Sequence, residues 1–236
     1  SKNILLLMMG GNGTRFGTEV PKQFYLINKQ PIFIHILKKL NQIDCIDSII
    51  IITNPKYLNY TKEWITKKNI QKIHKIIPGG NGTSQHILAG LLVAEEIAKD
   101  NDIVLMFDAT HPFVDTEGFV KVVDAINETG AATLAEFQYD TTYLINEDTN
   151  EIEQVIPRRK VIAGASPEGF KFKKILDIYK NTPKEKLNDL TSAGAIALQN
   201  NINMVAVETK EINLKITYQS DMNLVEEVAR SYFDED

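Results

Sequence analysis

Residues 4–24 read Ile-Leu-Leu-Leu-Met-Met-Gly-Gly-Asn-Gly-Thr-Arg-Phe-Gly-Thr-Glu-Val-Pro-Lys-Gln-Phe. The apolar run Ile4–Leu7 predicts a buried first strand. Gly10, Gly11 and Gly13 then free the backbone to turn sharply and to aim N–H groups at an anion. Arg15 and Lys22 add two cations able to close on the same phosphates. Strand, glycine turn and paired cations together read as a cradle for a triphosphate.

Two other phosphate loops fit worse. A P-loop closes on Gly-Lys-Ser/Thr, whereas Lys22 stands beyond Pro21 and is followed by Gln23. A dinucleotide fingerprint needs a third glycine at a helix start and an acidic residue closing the second strand. The second strand predicted here, Ser48–Thr53, ends in Asn54-Pro55, so no carboxylate is offered to a ribose 2′-hydroxyl. The plain alternative is a glycine turn with surface cations; Arg15, Pro21 and Lys22 together speak against it.

Working outward, strands and helices alternate. Helices are predicted near Pro31–Gln42, Leu58–Lys68, Ser84–Lys99 and Thr116–Asn127. Strands are predicted at Ser48–Thr53, Ile73–Ile77, Ile103–Phe107 and Ala131–Phe137. Such alternation argues for an α/β fold with a doubly wound, mainly parallel sheet. Ligands in these sheets bind at the carboxyl ends of the strands, which here carry Gly10–Gly13, Gly79–Gly82 and Asp108. From Asp140 to Arg159 the chain turns polar, and two short strands, Thr142–Ile145 and Glu151–Ile156, predict a protruding β-hairpin arm. Helices near Phe172–Lys180 and Asp189–Asn200 follow, then strands near Met204–Glu208 and Leu214–Thr217. Ser220 is expected to cap a last helix, Asp221–Tyr232.

A chain of 236 residues is long enough for one large α/β domain spanning 1–236, with the arm at about 140–163. A net charge of −5 supplies no general basic surface, so nucleic acid is disfavoured as the main partner. No apolar run reaches the ~20 residues of a membrane span, and no signal-peptide pattern opens the chain. A cytoplasmic protein is expected. Cys45, the one cysteine, reads as a buried thiol, not a nucleophile.

Asp108 closes a strand at the ligand edge. A carboxylate beside a triphosphate is repelled unless a divalent cation lies between them, which suggests Mg²⁺ held by Asp108; a turn or N-cap aspartate is the other reading. Lys215, in an apolar strand, could neutralise an α-phosphate under attack, or be a solvated lysine on an edge. Lys22 and Lys215 are both expected to stand open to the cleft. Thr141 and Arg158–Arg159, at the two bases of the arm, could hold a second phosphate, or form a solvated basic turn. His35 and His74 read as structural, whereas His86 and His111 fall near the site.

In this order, the motifs resemble the cytidylyltransferases that activate polyol phosphates, the methylerythritol-phosphate and ribitol-5-phosphate enzymes. The resemblance runs from Gly10–Gly17 with Pro21-Lys22-Gln23, through Gly79-Gly80 and Asp108-Ala109 with Pro112, to Asp140-Thr141. It continues through Pro157-Arg158-Arg159 and Thr191 to Asn213-Leu214-Lys215. It implies a Rossmann-like nucleotidyltransferase that joins CTP to an alditol phosphate with Mg²⁺ and releases pyrophosphate, as in surface-polymer synthesis. It implies Arg15, Lys22 and Lys215 as catalytic residues. Met9, Gly10, Gly11, Gly13, Gly80, Asn81, His86, Asp108 and Ala109 would meet the nucleotide. His111, Thr141, Arg158, Ser166 and Thr191 would meet the acceptor. It also implies a homodimer whose arms swap, so that Thr141 and Arg158 serve the neighbouring site.

The departures lie around base and acceptor. Thr83 stands where the family has Arg, His86 where it has Ser, and His111 where Asp-Ala-x-Arg-Pro has Arg. Ser166-Pro167-Glu168 replaces Thr-Pro-Gln, Thr191-Ser192 replaces Thr-Asp, and Met9 replaces a small residue. An acceptor other than methylerythritol phosphate is therefore expected, with the methylerythritol-phosphate enzyme or a non-catalytic nucleotide-binding paralogue as alternatives.

Overall fold

The computed structural model describes residues 1–10 and 20–232; Gly11, Gly13 and Arg15 lie outside the described residues. Strand β1 (Asn3–Met9) opens the chain. A 3-10 turn at Lys22–Phe24, the short ribbon β2 (Leu26–Ile27) and β3 (Gln30–Pro31), and helix α1 (Ile32–Asn41) come next. The alternation continues through β4 (Ser48–Thr53), α2 (Leu58–Thr66), β5 (Ile73–Pro78), α3 (Thr83–Ala94), β6 (Ile103–Asp108), α4 (Thr116–Thr129) and β7 (Ala131–Phe137). The hairpin β8 (Thr142–Ile145) and β9 (Ile152–Ile156) precedes the long strand β10 (Ile162–Lys171). Helices α5 (Phe172–Asn181), α6 (Lys184–Asn188) and α7 (Ala193–Gln199), strand β11 (Val205–Glu208) and helix α8 (Gln219–Tyr232) complete the order.

Seven strands form one sheet in the order β11-β7-β10-β6-β1-β4-β5. Neighbours run parallel except where β10 lies antiparallel to both β6 and β7. Alternation of side chains along a strand splits the apolar runs between two faces. In β1, Leu5, Leu7 and Met9 join a core shared with α1, α4 and α8. Ile4 and Leu6 join a second core with α3, α5 and α7. Helices thus cover both faces, as the uninterrupted Ile and Leu of β1, β4 and β6 require.

The winding reverses at β1, which has β4 on one side and β6 on the other. Met8 lies opposite Asp108 in that register, and the Ala109 N–H donates to the Met8 carbonyl at 3.0 Å. Gly10 and Asp108 therefore leave the sheet side by side at its switch point.

The structure corrects several expectations. Strand β10 was not foreseen, because Gly164, Pro167 and Gly169 all argue against a strand; it takes up the end of the segment assigned to the arm. Leu214–Thr217 is an extended passage outside the sheet, tied by the Ile216 N–H to the Thr110 carbonyl at 2.8 Å. The helix expected at Asp189–Asn200 begins only at Ala193, with Ser192 as its cap. Ser220 lies inside α8, and Asp221 does the capping: its Oδ2 accepts the N–H groups of Thr217 at 2.9 Å and Tyr218 at 2.8 Å. Cys45 is half-buried, and burial pushes its thiol pKa up, which disfavours the reactive thiolate.

Gly169 sits where β10 presses on β6 and α4. A Cβ there would come within 2.6 Å of Ile126 Cδ1, 2.7 Å of Leu105 Cδ2 and 3.0 Å of the Val104 carbonyl oxygen. Gly169→Val is expected to cost about 1–3 kcal/mol of unfolding free energy, measured by urea denaturation. Unchanged stability would contradict this placement of β10.

Candidate functional site

The carboxyl edge of the sheet opens into a cleft of about 640 Å³ whose lining includes Asp108, His111, Ser166, Glu168, Thr191 and Lys215. Each arrives by a separate route. Asp108 ends β6, and its Oδ1 accepts the Thr110 N–H at 2.9 Å and the Thr110 hydroxyl at 2.8 Å. That local turn leaves Oδ2 facing outward, 3.9 Å from Lys215 Nζ. With both side chains partly exposed, this is a weak pair that a more highly charged ligand can break. Lys215 is set by its neighbours: Ile216 is buried and bonded to Thr110, and Asp221 grips the chain just beyond.

Ser166 Oγ accepts the Asp108 N–H at 3.2 Å, joining β10 to the end of β6. His111 donates its backbone N–H to the Asp108 carbonyl at 3.0 Å. Burial lowers the His111 pKa below the ordinary histidine value; Asp108 opposes this, while Lys215 and Lys22 add to it. That direction favours the neutral imidazole.

Lys22 differs from expectation. It is 7% exposed, within the 3-10 turn that starts after Pro21, and is not open to solvent as Lys215 is. The cause lies in its neighbours: Gln23 Nε2 donates to the Met9 carbonyl at 2.6 Å, and Phe24 stacks on Tyr57 at 4.4 Å. These contacts pull the turn onto the end of β1. Its charge still reaches the cleft, since it acts on both His111 and Asp221.

His86, on α3, wedges its ring between the two glycine turns. A Cβ at Gly10 would stand 1.7 Å from His86 Nε2, and one at Gly79 would stand 1.9 Å from Cδ2. Nδ1 contacts the Gly82 carbonyl at 2.5 Å, and the buried Nε2 has no hydrogen-bond partner among the described residues. Glycine at both positions is thus a steric demand of His86 as well as of the turns. Asn81 donates its N–H to Gln85 Oε1 at 3.1 Å, and Gly80 lies against the same side chain. Met9 and Ala109 are buried in the core, so backbone alone remains to face a ligand there.

Thr141 and Arg158 do not line this cleft. They share a separate groove on the arm with Pro157 and Arg159, and Arg158 Nη1 donates to the Tyr139 carbonyl at 2.9 Å. Glu168, by contrast, lies in the cleft and was missed; the one sequence signal was its departure from Gln. Its carboxyl is enclosed although the residue keeps some exposure. It accepts the N–H groups of Ala193 and Gly194, and burial raises its pKa to about 7.

Among the described residues no cluster of three or more His, Cys, Asp or Glu forms a metal cage. A lone outward carboxylate such as Asp108 nonetheless suits Mg²⁺, which is commonly held by one or two carboxylates plus substrate phosphates. Nor is any helix among the described residues long and apolar enough to cross a membrane.

A doubly wound sheet with glycine turns, a carboxylate and a lysine gathered at its switch point has the layout of a nucleotide-binding α/β protein. The family model described as IspD, 2-C-methyl-D-erythritol 4-phosphate cytidylyltransferase, matches residues 4–231, and the chain belongs to this family. Ribitol-5-phosphate cytidylyltransferase of Streptococcus agalactiae serotype Ia is 27% identical over 93% of this chain and 92% of that protein. The 2-C-methyl-D-erythritol 4-phosphate cytidylyltransferase of Clostridium botulinum strain Langeland is 30% identical over 97% of each. The crystal structure of 4-diphosphocytidyl-2C-methyl-D-erythritolsynthase from Anaerococcus prevotii superposes with a TM-score of 0.80, covering 97% of this chain and 96% of that one. At 18% identity it shows a shared fold.

The raised pKa of Glu168 predicts a pH effect. The folded chain keeps this proton up to about 7, whereas the unfolded chain loses it near the ordinary 4.5. Stability should therefore fall as pH rises through that window and level off above it, by about 3 kcal/mol. Thermal melts of the wild type and of Glu168→Gln across this range test it; equal pH slopes would contradict the assignment.

Proposed function

We propose that this chain transfers the cytidylyl group of CTP to the phosphate of an alditol phosphate, such as ribitol or glycerol phosphate. The products are a CDP-alditol, as used in surface-polymer synthesis, and pyrophosphate. What carries this reading is the meeting of the Gly10 turn, Asp108 and Lys215 at the switch point of a chain from this family. An oxygen of the acceptor phosphate attacks the α-phosphorus of CTP, and the bond from that phosphorus to the β-phosphate bridge breaks. Charge rises on the α-phosphoryl oxygens during this step, and Lys215 and Lys22 would supply the fixed cations that stabilise it. Gly10, Gly11, Gly13 and Arg15 cradle the triphosphate. Gly80, Asn81 and His86 face the base, with Met9 and Ala109 contributing backbone. Asp108 would hold Mg²⁺, which when bound offsets the triphosphate charge.

His111, Ser166 and Thr191 face the acceptor. Thr141 and Arg158 line a groove on the arm and not their own cleft, which favours a homodimer in which they reach the neighbour's site. The arm carries the apolar cover such a contact needs: Tyr143, Ile152 and Val155 are 49%, 62% and 60% exposed. A single nucleotidyltransferase domain working in the cytoplasm is consistent with this chemistry. The family description favours a second reading, with 2-C-methyl-D-erythritol 4-phosphate as acceptor.

Incubation with CTP, Mg²⁺ and ribitol 5-phosphate should yield pyrophosphate and CDP-ribitol, resolved by chromatography. Lys215→Ala should lower kcat about 100- to 1000-fold with unchanged melting behaviour, and Asp108→Asn should weaken the Mg²⁺ dependence. Wild-type turnover in both variants would overturn the assignment. Mixing Lys215→Ala with Arg158→Ala chains under demonstrated subunit exchange should recover activity, because one site of the heterodimer keeps both residues. Exchange without recovery would put Arg158 outside its neighbour's site.

A further inference from the structure

Glu168 is the one ionisable group lining the cleft that the transfer chemistry leaves without a task. It stands on β10, two residues beyond Ser166, and its neighbours in the cleft include Thr191 and Ser192. Its carboxylate accepts two backbone N–H groups, those of Ala193 and Gly194, and Oε2 lies 3.3 Å from where a side chain at Gly194 would begin. The next N–H of α7, that of Ala195, is taken by Ser192 Oγ at 3.1 Å. The first turn of α7 is thereby satisfied, yet a carboxylate has about four lone-pair positions. Two backbone donors leave acceptor positions that a ligand in the cleft can fill. Tyr179, on α5, has a buried hydroxyl with no hydrogen-bond partner among the described residues. Ser166 and Thr191, which line the cleft with Glu168, supply hydroxyls that both donate and accept.

We propose that Glu168 is a specificity-determining residue for the acceptor. Its remaining lone pairs receive hydroxyl groups of the polyol chain, while Lys215 draws the phosphate end. The inference rests on the reading of the cleft as an acceptor site. It explains how one cleft can orient a molecule that has a phosphate at one end and hydroxyls along its length. The anionic end is attracted by Lys215, while neutral hydroxyls meet the Glu168 carboxyl group and the flanking Ser166 and Thr191.

The test compares two probes of equal carbon number, ribitol 5-phosphate and pentyl phosphate, which lacks the hydroxyls. Binding to the full-length protein holding a non-hydrolysable CTP analogue is measured by calorimetry for wild type, Glu168→Gln and Glu168→Ala. Wild type should prefer ribitol 5-phosphate by about tenfold or more, and both variants should shrink that preference toward unity. Circular dichroism checks that α7 survives, and Glu168→Gln keeps an oxygen for its N–H groups should Glu168→Ala unravel it. In turnover, Glu168→Gln should raise KM for ribitol 5-phosphate and leave KM for CTP in place. A preference absent in wild type, or unchanged in a folded Glu168→Gln, overturns the proposal and leaves a capping role. Discrimination in binding without any CDP-ribitol from the wild type would overturn the transferase reading and keep Glu168 as the hydroxyl reader. CDP-ribitol formation with an unaltered preference would do the reverse.

Discussion

The register in which β1 and β6 lie side by side governs the rest of the molecule. With Met8 opposite Asp108, two chain segments far apart in sequence leave the sheet together, one at Gly10 and the other at the Asp108 carboxylate. The register is itself enforced by burial. Because both strands are covered on two faces, a slip of one residue would exchange Leu5 and Leu7 with Ile4 and Leu6 between two differently shaped cores. Packing of ordinary aliphatic side chains thus sets the end of β1 beside the Asp108 carboxylate.

The remaining groups are brought to that edge by short polar ties, not by the sheet. Asp221 takes the N–H groups of Thr217 and Tyr218 and so holds the passage that carries Lys215. Gln23 reaches the Met9 carbonyl and seats the turn that carries Lys22. Glu168 takes the N–H groups of Ala193 and Gly194 and holds the turn beside Thr191. Each tie is a side chain acting on backbone, so each can be altered with the sheet intact. Function and fold are separable here to an unusual degree: the core sets the edge, and the ties set the distances.

Much of this was readable from the chain. Ser48–Thr53 is a strand with the expected bounds, because an Ile run closed by Asn54-Pro55 has one reasonable reading. The arm followed from a loss of apolar periodicity, and the doubly wound sheet from the alternation itself. Strand β10 was hidden because its Gly and Pro residues break every strand rule, and its place depends on the gap that Gly169 leaves for Ile126 and Leu105. Leu214–Thr217 misled in the opposite sense: it alternates like a strand but finds no neighbouring strand, so a single bond to Thr110 replaces a ladder. The burial of Lys22 was invisible because nothing in Pro21-Lys22-Gln23 tells how closely that turn packs on the end of β1. Glu168 gave no periodic signal, only a substitution within a three-residue motif.

The most direct test of the central claim follows the acceptor's own oxygen atoms. Ribitol 5-phosphate carrying heavy oxygen in its phosphate is incubated with CTP, Mg²⁺ and the protein, and the products are weighed by mass spectrometry. Attack by that phosphate on the α-phosphorus at the switch-point cleft predicts CDP-ribitol retaining all of the label and pyrophosphate retaining none. Label in pyrophosphate or in inorganic phosphate, or no CDP-ribitol at all, would contradict the account.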